Sequence, residues 1–545
     1  MPPLLDTLRR GVRLPPSGWM LAGMLVFYVV AGLFGRDPWK GEDAIHIGTA
    51  WHILTYSDWL SPDLAGRAFD EPPLYYWSAA LTGKLLGSLL PLHDAIRFAS
   101  GIWVALALTG IYYSGRELYG QGSAAASPML LAGCGGLLLN AHDAQPMLVA
   151  LAAYCGTLGA LAASPRKPRL AGVFYGASLA ACLLGAGIAP TLPLLAAGPA
   201  VLALYPERRP LAVTLAVALP VGVCLALPWP LLLQALEPDR FAGWIAAETL
   251  QLTAGTSPLL GAATYLAHLP WFAFPVTPIA LWALWIRRKS LADRPQSLPL
   301  VFLLLTLAML AVSYRPKEVP ALLLLPPLAL LATPGALSLR RGAANAFDSF
   351  AMMTFTFFAA VVWVAWSAMA LGWPERLAKR VVVLRPGFTG QFDFLAVLIA
   401  GVATAWWLWL IVTAPRSPYR SLTHWTMGFT TLWLLAIALL LPWFDYGKSY
   451  RPVAEAVAHQ LSDRAECLAE RGLNGTQRAS FAYFAGLEPL SSTSPAGRLC
   501  KWLVVQGNSR QELAAPKGRW DLVWEGNRPG ERREKFRLYR RDEQF

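Results

Sequence analysis

The chain has 545 residues, of which 14% are Asp, Glu, Lys or Arg and 55% are apolar. Soluble domains average about 25% charged residues, so the composition excludes an ordinary soluble enzyme and points to a protein that lives in lipid. Its net charge of +13 is spread over short connections between apolar stretches, with no basic face of the kind a nucleic-acid partner requires.

Apolar stretches of bilayer length, about 20 residues, begin near residue 18 and recur to Pro442. They fall near 18–35, 95–115, 123–140, 146–163, 171–186, 189–205, 210–235, 263–286, 298–313, 319–336, 349–372, 392–413 and 422–442, about thirteen spans in all. Basic residues mark alternate connections. Arg9, Arg10 and Arg13 precede the first span, Arg116 follows the second, and Arg166, Lys167 and Arg169 follow the fourth. Arg208-Arg209, Arg287 to Arg294, Arg340-Arg341, and Arg416 with Arg420 continue the alternation. A cytoplasmic N-terminus follows, and an odd span count puts the first connection, 36–94, and the C-terminal segment outside. The connection from Arg376 to Arg385 breaks the rule, being cation-rich on the outer side. No small-residue cleavage site marks a removable export signal before Asp37.

The first connection is carboxylate-rich: Asp37, Glu42, Asp43, Asp58, Asp63, Asp70 and Glu71 lie among aromatics. Ionised groups beside hydrocarbon need water, partners or neutralisation, which reads here as an active-site loop at the membrane surface. Glu42 and Asp43 open a helical pattern continued by Ile45, Ile47, Ala50, Trp51 and Leu54. Capping that helix is the structural alternative for both. Asp70 and Glu71 lead through Pro72-Pro73 into Tyr75, Tyr76 and Trp77, which suit stacking on a sugar or anchoring in the interfacial belt. Asp70 and Glu71 with His46 form a candidate set for a divalent cation, though without the spacing that selects a metal.

After Pro442 the character changes. Residues 446–545 are polar and long enough for a small domain, leaving 1–445 as the membrane unit. Val453, Ala456, Val457 and Leu461 make a helix stripe, and Leu503-Val504-Val505 and Leu522-Val523-Trp524 read as short buried strands, completed by Phe536, Leu538 and Tyr539. A compact α/β appendage follows. Its Cys467 and Cys500 could pair in an oxidising compartment or stay as buried thiols. Cys134, Cys155, Cys182 and Cys224 read as small packing residues within spans.

Several of these features together resemble the membrane-embedded GT-C glycosyltransferases, in the branch of the lipid A aminoarabinose transferases and bacterial relatives of protein O-mannosyltransferases. The first loop carries Glu42-Asp43, Ser57-Asp58-Trp59, Pro62-Asp63-Leu64-Ala65-Gly66 and Phe69-Asp70-Glu71-Pro72-Pro73-Leu74-Tyr75-Tyr76-Trp77. Those steps resemble the branch's acidic pair, its G-D-W and P-x-L-x-G steps, and its F-E-K-P-P-L-x-Y-W motif. Asp143 ahead of Pro146 matches an Asp in the family's second outer loop, and Ser313 to Lys317 leading to Leu325-Pro326-Pro327-Leu328 matches a later one. The resemblance implies an all-α polytopic fold of about thirteen spans with a periplasmic α/β domain, in a bacterial inner membrane. It implies transfer of a sugar from a polyprenyl (undecaprenyl) phosphate to lipid A, a polysaccharide or a protein. The alternative class is a non-catalytic subunit or a transporter of lipid-linked sugar.

This chemistry passes through oxocarbenium-like charge at the anomeric carbon. A carboxylate must take the acceptor's proton, and direct attack inverts the centre. Glu42, which aligns with the family's catalytic aspartate, Asp43 and Asp143 are the candidates. The departing phosphate needs a cation; Lys317 and Arg315, then Arg97, are candidates, with snorkelling to headgroups as their structural alternative. The chain also departs from the family. The acidic pair is reversed in size, Glu71 replaces a basic residue, a lysine expected near Gly187 is absent, and Glu248-Thr249-Leu250-Gln251 replaces an arginine-bearing segment. Fewer cations imply a weaker or relocated grip on the donor phosphate.

Overall fold

The computed structural model describes residues 16–39, 41–68, 70–253, 257–313, 318–461, 467–509, 512–513, 520–531 and 533–541. Eight helices among them are long and apolar enough to cross a membrane, from Leu92–Tyr119 to Arg420–Lys448. Shorter apolar helices at Gly18–Val30, Met147–Ala163 and Ile188–Leu204 occupy three more of the expected spans. The chain is a multi-pass helical membrane protein.

Two expected spans are not continuous. The 263–286 stretch is split into Pro258–Phe272 and Val276–Ile286, bent by 106°. Pro275 at the break has no N–H to continue the helical ladder. The 123–140 stretch becomes Ala126–Ala132 and Gly135–Asn140, separated by Gly133 and an extended Cys134. Length and apolarity therefore give eight crossings among the described residues, or nine with the bent pair. A hydropathy window counts apolar side chains and passes over the prolines and glycines that interrupt a helix.

Burial separates hub from periphery. The Val319–Ala336 stretch is 89% buried, whereas the apolar window of Phe394–Thr413 is 22% buried and turns Leu398, Val402, Trp409 and Val412 outward. Apolar residues on every side suit a central helix, and apolar residues left exposed suit lipid.

The acidic loop folds into two helices, Gly41–Tyr56 and Leu74–Leu86. Ile47, Ala50 and Ile53 of the first pack with Tyr75, Tyr76 and Ala79 of the second and Ile96 of the span behind. This buries Ile47 and Ala50 of the stripe read in the sequence, half-buries Ile45, Trp51 and Leu54, and leaves Glu42 at the helix start exposed.

The C-terminal segment is a five-stranded mixed sheet. Its strands are β1 (Leu468–Arg471), β2 (Leu490–Ser491), β3 (Trp502–Gly507), β4 (Trp520–Gly526) and β5 (Lys535–Arg541). The order is β2-β1-β3-β5-β4, with β1 parallel to β2 and β3, and β5 antiparallel to β3 and β4. Val504 packs towards helices Arg451–Gln460 and Gly475–Ala485, while Leu503 and Val505 face the opposite side, the period-2 alternation of a strand. Cys467 and Cys500 form a disulfide. One expectation fails: Leu522 and Val523 are exposed, because β4 is the edge strand and its burial pattern is mostly open.

The sheet unit touches the acidic loop closely. Helix Gly475–Ala485 lies against Gly41–Tyr56, where a Cβ on Gly48 would sit 2.9 Å from that of Ala479. Thr476 donates to the Gly41 carbonyl at 3.1 Å, and Arg451 grips Asp37 through Nη2 at 2.5 Å and Nε at 3.0 Å.

Candidate active site

Adjacent carboxylates at the start of helix Gly41–Tyr56 have opposite surroundings. Asp43 is turned inward, 1% exposed. Arg97 grips both its oxygens, Nε to Oδ1 at 3.0 Å and Nη2 to Oδ2 at 2.7 Å. The Ala144 N–H donates to Oδ1 at 2.7 Å, and Arg36 stands 3.7 Å away. Burial alone would push the Asp43 pKa up; Arg97, Arg36 and the hydrogen bonds overcome it and hold the carboxyl below the usual carboxylate range. Asp43 is fixed as an anion inside the protein.

Glu42 is exposed. Its Oε2 accepts one hydrogen bond, from Gln145 Nε2 at 2.9 Å. An exposed carboxylate aimed by a neutral amide keeps lone pairs for an incoming proton.

Behind these two lies a buried lattice. Arg36 Nη2 reaches Asp143 Oδ1 at 2.5 Å. Arg97 Nη1 donates to the Arg36 carbonyl at 2.5 Å and to Asp94 Oδ1 at 3.3 Å, and Asp94 Oδ2 accepts the Gly35 N–H at 2.9 Å. Tyr75 Oη and Ser100 Oγ are 2.8 Å apart, and Ser100 donates to the Asp143 carbonyl at 2.7 Å. The end of the first apolar helix, the acidic loop, the second span and the Asn140–Pro146 connection are thereby tied together through charged groups. Each buried charge is paired, as the cost of isolation demands.

A second chain of contacts runs towards the surface. Tyr76 Oη donates to Glu71 Oε2 at 2.6 Å and lies 2.6 Å from His46 Nδ1. Burial pushes the His46 pKa down to about 4, against the pull of Asp43 and Asp143, so the ring is neutral at pH 7. Tyr76 is pushed up by burial and by Glu71. Glu71 is hydrogen-bonded to this His–Tyr pair, and the Glu42 charge acts on Tyr76 more weakly.

Several expectations are corrected by this geometry. Arg97 is 0% exposed and its guanidinium is committed to Asp43, Asp94 and a carbonyl, so it is not a cation offered to a donor phosphate. Tyr75 and Tyr76 are also 0% exposed; they are core, and their rings cannot lie on a sugar. Trp77 is half-buried, with its indole N–H on the Trp59 carbonyl at 2.6 Å. Among the described residues no group of three or more His, Cys, Asp or Glu side chains is arranged for a metal ion. Of the cation set, His46 is held by Tyr76 and Asp70 is exposed. Lys317 and Arg315 lie outside the described residues.

Sequence reasoning missed Arg36, Asp94 and Gln145. The signal for Arg36 was its place as a cation directly before the first acidic residue of the carboxylate-rich first connection. Asp94, at the opening of the second span, was three residues from Arg97, an i,i+3 helical pair. Gln145 followed Asp143 within the run already singled out.

The helical bundle, the amphipathic first loop and the mixed sheet at the C-terminus together define the class: this is a GT-C fold. ArnT from Cupriavidus metallidurans, solved bound to undecaprenyl phosphate, superposes with a TM-score of 0.70 at 16% identity, covering 96% of this chain and 98% of that one. The archaeal oligosaccharyltransferase AglB from Archaeoglobus fulgidus, in complex with an inhibitory peptide and a dolichol-phosphate, gives a TM-score of 0.50 at 12% identity over 89% of this chain and 69% of its own. No family model matches the chain. Among curated proteins it is similar to an undecaprenyl phosphate-α-4-amino-4-deoxy-L-arabinose arabinosyl transferase of Sodalis glossinidius, 30% identical over 303 residues, 51% of this chain and 52% of that protein. A transferase of the same name from Pseudomonas paraeruginosa is 28% identical over 314 residues, 54% of each chain. The chain spans about half the length of the curated relatives it matches.

Proposed function

We propose that the protein is an inverting glycosyltransferase. It moves a sugar, of the pentosyl class in its relatives' names, from an undecaprenyl-phosphate-type donor to a cell-envelope hydroxyl on the outer side of a bacterial inner membrane. Residues 1–445 form the transferase unit and 446–545 an outer appendage that braces the acidic loop. The observation that carries this reading is the division of labour between neighbours: Asp43 locked by Arg97, and Glu42 exposed and aimed by Gln145.

Glu42 takes the proton from the acceptor hydroxyl as that oxygen attacks the anomeric carbon, and the carbon–phosphate oxygen bond breaks with the electron pair leaving on phosphate. Asp143 and Asp43, neutralised by Arg36 and Arg97, are positioning residues that fix the loop carrying Glu42. Lys317 and Arg315 are the cations proposed for the leaving phosphate. The acceptor is lipid A, a polysaccharide or a protein hydroxyl. Incubating the purified protein with undecaprenyl-phosphate aminoarabinose and lipid A, and following the product mass, tests the reading. Accumulation of sugar-bearing lipid supports it, and no transfer to lipid or to mixed envelope acceptors contradicts it.

One observation favours the second reading, a subunit that binds lipid-linked sugar without transferring it. Glu248 is 3% exposed and its Oε2 accepts the Ile188 N–H at 2.8 Å. A carboxylate thus occupies the helix start where the resemblance places a lysine for the donor phosphate. Retention of the donor without turnover would select this reading.

A further inference from the structure

A short helix, Glu375–Leu384, connects helices Arg341–Ala370 and Phe394–Thr413 and has no buried residue. It is the cation-rich connection that breaks the alternation of basic loops, and nothing in the proposed transfer reaction uses it. Glu375 and Lys379 pair across one turn at 2.7 Å. Arg376 and Arg380, also one turn apart on a shared face, enter no salt bridge among the described residues.

The apolar side of this helix closes a groove. Leu377, Val381 and Leu384 face Ala365 of Arg341–Ala370 and Phe444 of Arg420–Lys448 across a volume of about 570 Å³, with Arg380 in the wall. The groove opens at the end of the molecule that carries the C-terminal sheet. Arg385 donates to the Pro529 carbonyl at 3.4 Å, and Tyr446 donates to the Pro386 carbonyl at 3.2 Å. Two of its walls are membrane-crossing helices, so it faces hydrocarbon; the Arg380 guanidinium lines it, and Arg376, one helical turn away and exposed, stands beside it at headgroup depth.

An uncharged lipid would fill the groove and leave Arg380 in its wall, and Arg376 beside it, without a counter-charge. Free phosphate would satisfy the guanidinium groups and leave the groove open. The occupant that matches both is an apolar chain joined to an anionic head. We propose that this groove holds one anionic glycerophospholipid, an acyl chain between Val381 and Phe444 and its phosphate on Arg380 and Arg376. The cation-rich outer connection is then a lipid clamp, which explains its exception to the charge alternation. The inference stands independently of the transfer reaction.

Native mass spectrometry of the full-length protein in detergent, with phosphatidylglycerol or diacylglycerol added, tests it. The wild type should retain one phosphatidylglycerol with about tenfold preference over diacylglycerol, which lacks the phosphate; that is the scale of a charge-assisted contact. Arg376→Gln with Arg380→Gln, both on an exposed helix, should abolish the preference. Ala365→Trp should fill the groove and reduce retention of both lipids. Equal retention of the two lipids by the wild type, or a preference that survives the double glutamine variant, overturns the proposal. Undiminished retention in a folded Ala365→Trp protein overturns its acyl-chain half; if that variant fails to fold, the glutamine arm alone decides.

Discussion

Replacing Arg97 by Met would remove the charge that balances Asp43 while keeping much of the side chain's apolar stem. The aspartate would retain the Ala144 N–H at 2.7 Å and Arg36 at 3.7 Å, both short of the bidentate grip it loses. Breaking a buried ion pair from one side costs about 3–5 kcal/mol. Arg36 is close enough to offset part of this, so we expect a loss near the lower bound, about 3 kcal/mol, or roughly a hundredfold in the folding equilibrium. Asp43→Asn should cost less, because Arg97 keeps Asp94 and the Arg36 carbonyl. The double variant should fall well short of the summed losses, as expected of side chains in direct contact. Unfolding of detergent-solubilised protein, followed by tryptophan fluorescence, reads all three. A loss below about 0.5 kcal/mol in Arg97→Met, the range of ordinary surface changes, would refute the assignment of this pair as the anchor of the loop.

Gly48→Leu should loosen the C-terminal unit, since even a Cβ there meets Ala479 at 2.9 Å; limited proteolysis should release the 446–545 segment faster while the bundle persists. The His46 pKa is depressed to about 4 from an ordinary 6.5, so its contribution to stability is complete above pH 6.5 and is lost as pH falls towards 4. His46→Gln should flatten that limb in unfolding midpoints measured against pH, and an unchanged limb would assign it elsewhere. With exposed Cys224 replaced by Ser, a cysteine at Asp521 should react with an impermeant reagent from the periplasmic side, and one at Arg209 or Lys289 should react only after disruption. The reverse pattern would overturn the orientation.

The sequence carried the fold through two periodicities and one composition shift. Long apolar runs mark the bundle, the Ile47–Ala50 stripe marks the loop helix, and the polar turn after Pro442 marks the sheet segment. It did not carry helix continuity, because Gly133 and Pro275 act on backbone hydrogen bonds that hydropathy does not register. Nor did it carry the edge position of β4, since Leu522 and Val523 have strand character with or without a covering layer. At the candidate site, residue type singles out Glu42, Asp43 and Asp143 as carboxylates but not which is exposed. That difference arises from Arg97 and Arg36, distant in sequence, reaching Asp43 and Asp143. In the sequence Arg97 is a charge that suits a ligand cation as well as an internal pair; only packing reveals that its partners are internal. The three-residue interval to Asp94 was the local clue.

A paired turnover measurement decides whether Glu42 is the base and Asp43 its fixed neighbour. Transfer from undecaprenyl-phosphate aminoarabinose is followed for Glu42→Gln and Asp43→Asn at saturating donor, with donor binding and unfolding measured alongside. Glu42→Gln should lower kcat by about 10²–10⁴, the contribution of a positioned acid–base group, with donor affinity and stability unchanged. Asp43→Asn should lower stability, and turnover only in proportion. Full activity in Glu42→Gln, or a selective kcat loss in a stable Asp43→Asn protein, would rule out Glu42 as the base.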